Sequence, residues 1–170
     1  MNLINDLINN LEKEFHLLGS LFNLLQMEKK VIIANKKEQL KENISAQEKF
    51  IKDISECENI RQNIILNIAA QLNLPMPEKL NLENLLNFIP APLNTKLHEL
   101  KTMLNERIKN IKYIRDVNSQ LIQHALSYIS FSLEAFSDAI NTSQKNEVYT
   151  PYGGRMFNVS DKYQLLNYNA

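Results

Sequence analysis

The sequence predicts an all-α protein: an antiparallel three-helix bundle or coiled coil of long helices, with a short connecting helix and a flexible C-terminal tail. Three observations carry this. From Leu93 to Ile140 there is no Gly and no Pro, and apolar residues return every three or four positions, the spacing that lines one side of a helix. Two earlier stretches repeat the pattern. The 3 Gly and 5 Pro of the chain fall almost entirely outside these stretches, a composition suited to long helices.

The first helix is expected over about 3–33. Ile4, Leu7, Leu11, Phe15, Leu18, Leu21, Leu25 and Ile32 follow a near-heptad repeat. Gly19 interrupts it, at a cost of about 1 kcal/mol against Ala, and reads as a close-packing point or slight bend. Asn35 then serves as N-cap of a second helix over 36–73, with Glu38 three residues on as in a capping box. Its seam is Leu40, Ile44, Gln47, Ile51, Ile54, Glu58, Arg61, Ile65, Ile68 and Leu72, a 4-3 coiled-coil spacing with three polar members. Glu58 and Arg61 stand three apart, on one turn, and are expected to pair inside a polar layer. The tight turn between the two helices makes them antiparallel neighbours.

Leu74-Pro75-Met76-Pro77 ends the second helix, since Pro cannot continue it and restricts the residue before it. A short helix follows over about 82–88, capped by Asn81, with Leu82, Leu85, Leu86 and Ile89 as its apolar face. Pro90-Ala91-Pro92 launches the long third helix, 92–141, about 70 Å in length. Its seam is Leu93, Leu97, Leu100, Leu104, Ile108, Ile111, Ile114, Leu121, Ala125, Tyr128, Leu133, Phe136 and Ile140. A helix this long needs partners along its seam. It outruns the second helix by about 15 Å, so Phe131, Leu133, Phe136 and Ile140 are expected to lie beyond the bundle and to require a partner.

Residues 1–141 therefore read as one helical domain and 142–170 as a tail. Asn141-Thr142-Ser143-Gln144-Lys145-Asn146-Glu147 is a polar linker. Val148, Tyr149, Tyr152, Arg155, Met156 and Phe157 follow it, with Gly153 and Gly154 among them, and Val159, Tyr163, Leu165, Leu166 and Tyr168 lie further on. Such a segment cannot build its own core, yet it is too apolar for an inert linker. It reads as a partner-binding segment that folds on binding.

The totals exclude several classes. The 19 basic and 19 acidic residues balance, which argues against nucleic acid or an anionic membrane as the main partner. One cysteine, Cys57, leaves no intramolecular disulfide and no cysteine-based metal site. The N-terminal Met-Asn-Leu-Ile-Asn-Asp has no signal-peptide pattern, and no apolar run is long enough to span a bilayer. A cytoplasmic protein without membrane insertion is expected. His16, His98 and His124 fall in no Glu-x-x-His or His-Glu-x-x-His motif, so a di-metal bundle enzyme is not supported. Glu12 and His16, four apart, read as a surface contact. Gly153-Gly154 lacks the Gly-Lys-Ser/Thr ending of a phosphate loop. No catalytic residue, metal site or cofactor is expected.

The order and lengths of these parts resemble the FlgN family of flagellar export chaperones. The likeness rests on the Leu-rich first helix, the break at Ile33-Ala34-Asn35-Lys36-Lys37-Glu38 and the charged second helix. It is most specific over Asn118-Ser119-Gln120-Leu121-Ile122-Gln123-His124-Ala125-Leu126-Ser127-Tyr128-Ile129, and it returns in the tail at Tyr149-Thr150-Pro151-Tyr152-Gly153-Gly154-Arg155. The resemblance implies a cytoplasmic, non-enzymatic chaperone without cofactor. It implies binding of hook-associated proteins of the FlgK and FlgL type, at the hook–filament junction, and delivery to the flagellar type III export apparatus. The reading leaves room for a weak homodimer. A structural or adaptor coiled-coil subunit of a larger assembly is the alternative.

Overall fold

The computed structural model describes residues 2–72 and 82–145, with side chains over 3–72 and 82–140. The protein is all-α. Four helices occur and no strand is found among the described residues: α1 Asn2–Ile33, α2 Lys37–Gln71, α3 Leu82–Leu86 and α4 Leu93–Lys145. Two compact units divide the chain, Met1–Tyr128 and a second from Ile129 onward. Leu74–Pro77, Asn81 and the tail from Asn146 lie outside the described residues.

In the first unit, contacts across helices fix the relative directions. Asn10 Nδ2 of α1 donates to the Cys57 carbonyl of α2 at 2.9 Å, and Asn43 Nδ2 of α2 donates to the Leu24 carbonyl at 3.0 Å. Early α1 thus meets late α2, and the two run in opposite directions. On α4, Lys96 pairs with Glu12 at 2.8 Å, and Asn118 Nδ2 donates at 2.8 Å to both the Leu25 carbonyl and Glu28 Oε2. Contacts here advance together along both helices, so α4 runs in the direction of α1. The Arg107 guanidinium adds a cation–π contact, 4.9 Å from the Phe15 ring and 5.8 Å from Phe22.

The larger core cluster joins Leu7, Leu11 and Leu18 of α1, Ile65 and Ile68 of α2, Leu82, Leu85 and Leu86 of α3, and Leu97, Leu100 and Leu104 of α4. A second cluster, Leu21, Leu25 and Ile114, is flanked by Phe22, Phe50, Ile54 and Ile111. The short α3 contributes far beyond its length, because Leu82, Leu85, Leu86 and the following Ile89 are all buried.

Three local expectations are corrected. Asn35 does not cap α2. It has a positive φ of 52°, and its N–H bonds the Ile32 carbonyl while the Lys36 N–H bonds that of Val31. This is a Schellman ending of α1, with Asn35 as the left-handed residue, a role Asn tolerates better than most non-Gly residues. The N-cap of α2 is Lys36, which makes no side-chain capping bond.

The inward face of α2 also differs from the 4-3 seam. Ile44, Ile51 and Leu72 are exposed, whereas Asn43 and Cys57 are buried and Phe50 half-buried. A seam chosen by apolar character misses Asn43, which tolerates burial because its amide is satisfied. It donates to Leu24 and accepts from Gln47 Nε2 at 2.6 Å.

Gly19 is not a close-packing point: a Cβ there would meet nothing within 4 Å. Gly19→Ala is therefore expected to stabilise the protein by about 0.4–1 kcal/mol, by restricting the unfolded chain at a helical site. Urea denaturation measures this, and a lowered midpoint would show that backbone freedom at this point serves the fold.

Candidate partner-binding surface

α4 changes character part way along. Leu97, Leu100, Leu104 and Ile114 are buried, and Asn118, 2% exposed, is the last buried residue among the described side chains of the helix. Leu121 is half-buried, and Ile122, Leu126 and Tyr128 are exposed. The register accounts for this. Asn118 meets α1 at Leu25 and Glu28, and α1 ends only five residues beyond Glu28, at Ile33. The parallel partner runs out about where the apolar face of α4 becomes bare.

Asn118 and Asn43 act as a matched pair. Their amides bond adjacent α1 carbonyls, Leu25 and Leu24, from two different helices. A buried amide that must find its acceptor fixes how a helix is placed along its neighbour. In sequence Asn118 opens the family-like run, and nothing in that run signals this bond.

In the second unit, the described side chains, residues 129–140, are helical. Of the ten expected site residues, Phe131, Leu133, Phe136 and Ile140 fall here, with exposures of 69%, 65%, 69% and 56%. Val148, Tyr149, Tyr152, Arg155, Met156 and Phe157 lie outside the described residues. Ile129, 54% exposed, lies outside the expected set. The signal that finds it is spacing. The expected seam takes a five-residue step from Tyr128 to Leu133, whereas Ile122, Leu126, Ile129, Leu133, Phe136 and Ile140 keep steps of four and three throughout. That is the a/d spacing of a coiled-coil seam.

Ser130, Ser132, Ser137 and Ala139 flank Ile129, Leu133, Phe136 and Ile140. Small, uncharged flanks let a second helix come close without selecting it by charge. Phe131 stands apart, off the 4-3 line.

Polar chemistry sits elsewhere, between α1 and α2. Arg61 pairs with Glu58, and Gln62 Nε2 donates to Glu58 Oε1 at 2.8 Å, so the expected pair is present. The buried Glu14 lies in the field of both, and its Oε2 has no hydrogen-bond partner among the described residues. Burial pushes the Glu14 carboxyl up, offset in part by Arg61 and reinforced by Glu58. At Glu58 burial acts upward too. The hydrogen bonds from Arg61 and Gln62, with the charge of Arg61, outweigh it and hold that carboxyl below its usual range. Glu12 turns to Lys96 rather than to His16. His16, His98 and His124 are all exposed. No group of three His, Cys, Asp or Glu residues able to hold a metal occurs among the described residues, and no helix there is long and apolar enough to cross a membrane.

A family model described as FlgN protein matches residues 1–155. No curated protein and no solved structure matches the chain. With nearly its whole length matched, the chain belongs to the FlgN family.

Proposed function

We propose that this member of a flagellar export chaperone family works in the cytoplasm. It would bind hook-associated proteins of the FlgK and FlgL type, keep them from assembling early, and hand them to the type III export apparatus. The observation that carries this reading is the exposed 4-3 stripe of α4, led by Ile129, Leu133, Phe136 and Ile140. An amphipathic helix covers such a stripe in the helix-in-groove mode. A hook-associated protein would offer one from the segment through which it otherwise self-assembles.

In this reading the three long helices form an antiparallel three-helix bundle that carries the stripe, and residues 142–170 form a separate binding tail. Tyr149, Tyr152, Met156 and Phe157, with Val148 and Arg155, would close over the client or contact the export apparatus. The same stripe supports weak homodimerisation when no client is bound. Nothing in this scheme needs a cofactor or a chemical step.

Titration calorimetry of the full chain against a purified hook-associated protein tests the proposal. Release must remain possible, so a Kd of about 0.1–1 μM is expected. Leu133→Asp is expected to weaken binding at least tenfold, and a chain ending at Asn141 reports the share of the tail. Absence of binding by the full chain would overturn the client assignment in favour of a structural or adaptor subunit.

A further inference from the structure

We propose that the α1–α2 turn is a peripheral docking point for an anionic lipid bilayer. This inference is independent of client binding and rests on three observations. First, Ile33 is 66% exposed at the end of α1, the most accessible aliphatic residue among the exposed large side chains of the first unit. Second, Lys29, Lys30, Lys36 and Lys37 stand within four residues of it in sequence and are all exposed. These four lysines enter no ion pair among the described residues.

Among the acidic neighbours, Glu38 pairs with Lys41. Glu28, which accepts from the neutral Asn118 amide, and Glu42, a turn further along α2, keep their charge, so four lysines stand against two carboxylates. The balanced charge of the whole chain therefore conceals a local positive tip.

Third, Lys36 and Lys37 break a local rule. They occupy the N-cap and first position of α2, with no side-chain cap. Positive charge opposes the helix dipole there, and Ser, Thr, Asp or Asn would suit the site better. Glu38 in the first turn supplies the favourable charge, yet the two lysines ahead of it add positive charge that the fold does not require.

The residue types favour lipid over protein. Lysine is depleted at protein–protein interfaces, where arginine and aromatics are preferred. Lysines clustered around one aliphatic side chain at the turn match an anionic headgroup layer, with Ile33 reaching its boundary. Such contact is peripheral and spans nothing.

Flotation of the full chain with vesicles tests this. One set is phosphatidylcholine alone; the other contains about one-quarter phosphatidylglycerol. Retention is expected on the anionic set only, and is expected to fall steeply as salt rises from about 50 to 500 mM. Reversal of all four charges (K29E/K30E/K36E/K37E) is expected to weaken partitioning at least about a hundredfold, while circular dichroism reports that the helices persist. Should that variant lose helix, replacing the four lysines with Gln is expected to show the same loss of retention. Ile33→Ser is expected to weaken retention about threefold. Wild-type chain that ignores anionic vesicles overturns the proposal, as does retention that survives loss of the four charges. Retention unchanged by Ile33→Ser overturns it also, by making the tip a general anion binder.

Discussion

Leu97→Ala is expected to cost the fold about 3 kcal/mol, whereas Leu133→Ala, the same change on the same helix, is expected to cost less than about 0.5. Leu97 is 0% exposed and belongs to the cluster that includes Leu7, Leu11, Ile68 and Leu85. Truncating it removes buried methyl groups and leaves a cavity where α1, α2, α3 and α4 all contribute side chains. Those walls are held by their own helices and collapse only in part, so the cavity term adds to the transfer term. Leu133 is 65% exposed. Truncating it empties no cavity, and Ala is the better helix former.

Urea denaturation of the two variants beside the parent chain measures the contrast. Equal losses would mean that Leu133 is covered within the free chain. The client-binding reading would then lose its open surface. A stable Leu133→Ala chain that binds its client poorly is the outcome this reading requires. It separates a residue kept for the fold from one kept for a partner, on a helix whose sequence pattern treats the two alike.

That last point marks how far the sequence carries. Helix existence is legible throughout, because a 3.6-residue period without Pro, broken by a single Gly in α1, admits few other readings. The apolar face of Leu82, Leu85, Leu86 and Ile89 was read correctly, and all four are buried. Phase was less legible. On α2 the 4-3 spacing takes in the exposed Ile44 and Ile51 and passes over the buried Asn43 and Cys57. Burial of Asn43 depends on a hydrogen bond to the other helix, which no single-helix pattern contains.

The turn was misread for a related reason. Asn suits both an N-cap and a left-handed helix ending, and the backbone bonds of Val31 and Ile32 decide between them. On the candidate surface, four of the expected residues lie exposed on α4. Ile129 escaped because Tyr128, one position earlier, satisfied the periodic count until the next step came out at five.

Glu14→Leu is expected to stabilise the protein by about 1–2 kcal/mol at neutral pH, and Arg61→Leu to destabilise it by about 2. Glu14 is 7% exposed and one carboxylate oxygen has no hydrogen-bond partner among the described residues. A buried charge so poorly served costs more in lost hydration than it recovers from Arg61, and a packed leucine of similar size removes that cost. Arg61 is different because it offsets two carboxylates. Without it Glu58 loses its ion pair, and Glu14 loses the charge that lowers its pKa. The Arg61 and Glu58 side chains are 28% and 35% exposed, so solvent screening holds the expected cost below that of a fully buried pair.

The pH dependence separates the two groups. Glu14 has a raised pKa when folded, so the folded state takes up its proton first. Its burden on stability is lifted as pH falls through that raised value toward the unfolded value of 4.5. The advantage of Glu14→Leu should therefore shrink across that window. Glu58 has a lowered pKa when folded. The stability it contributes is present above 4.5 and is lost only as pH falls further, through its folded value. Urea midpoints of the parent and both variants, taken from neutral pH down past 4.5, test both signs. A pH-independent gain from Glu14→Leu would show that packing alone, and not the buried charge, sets the cost at this layer.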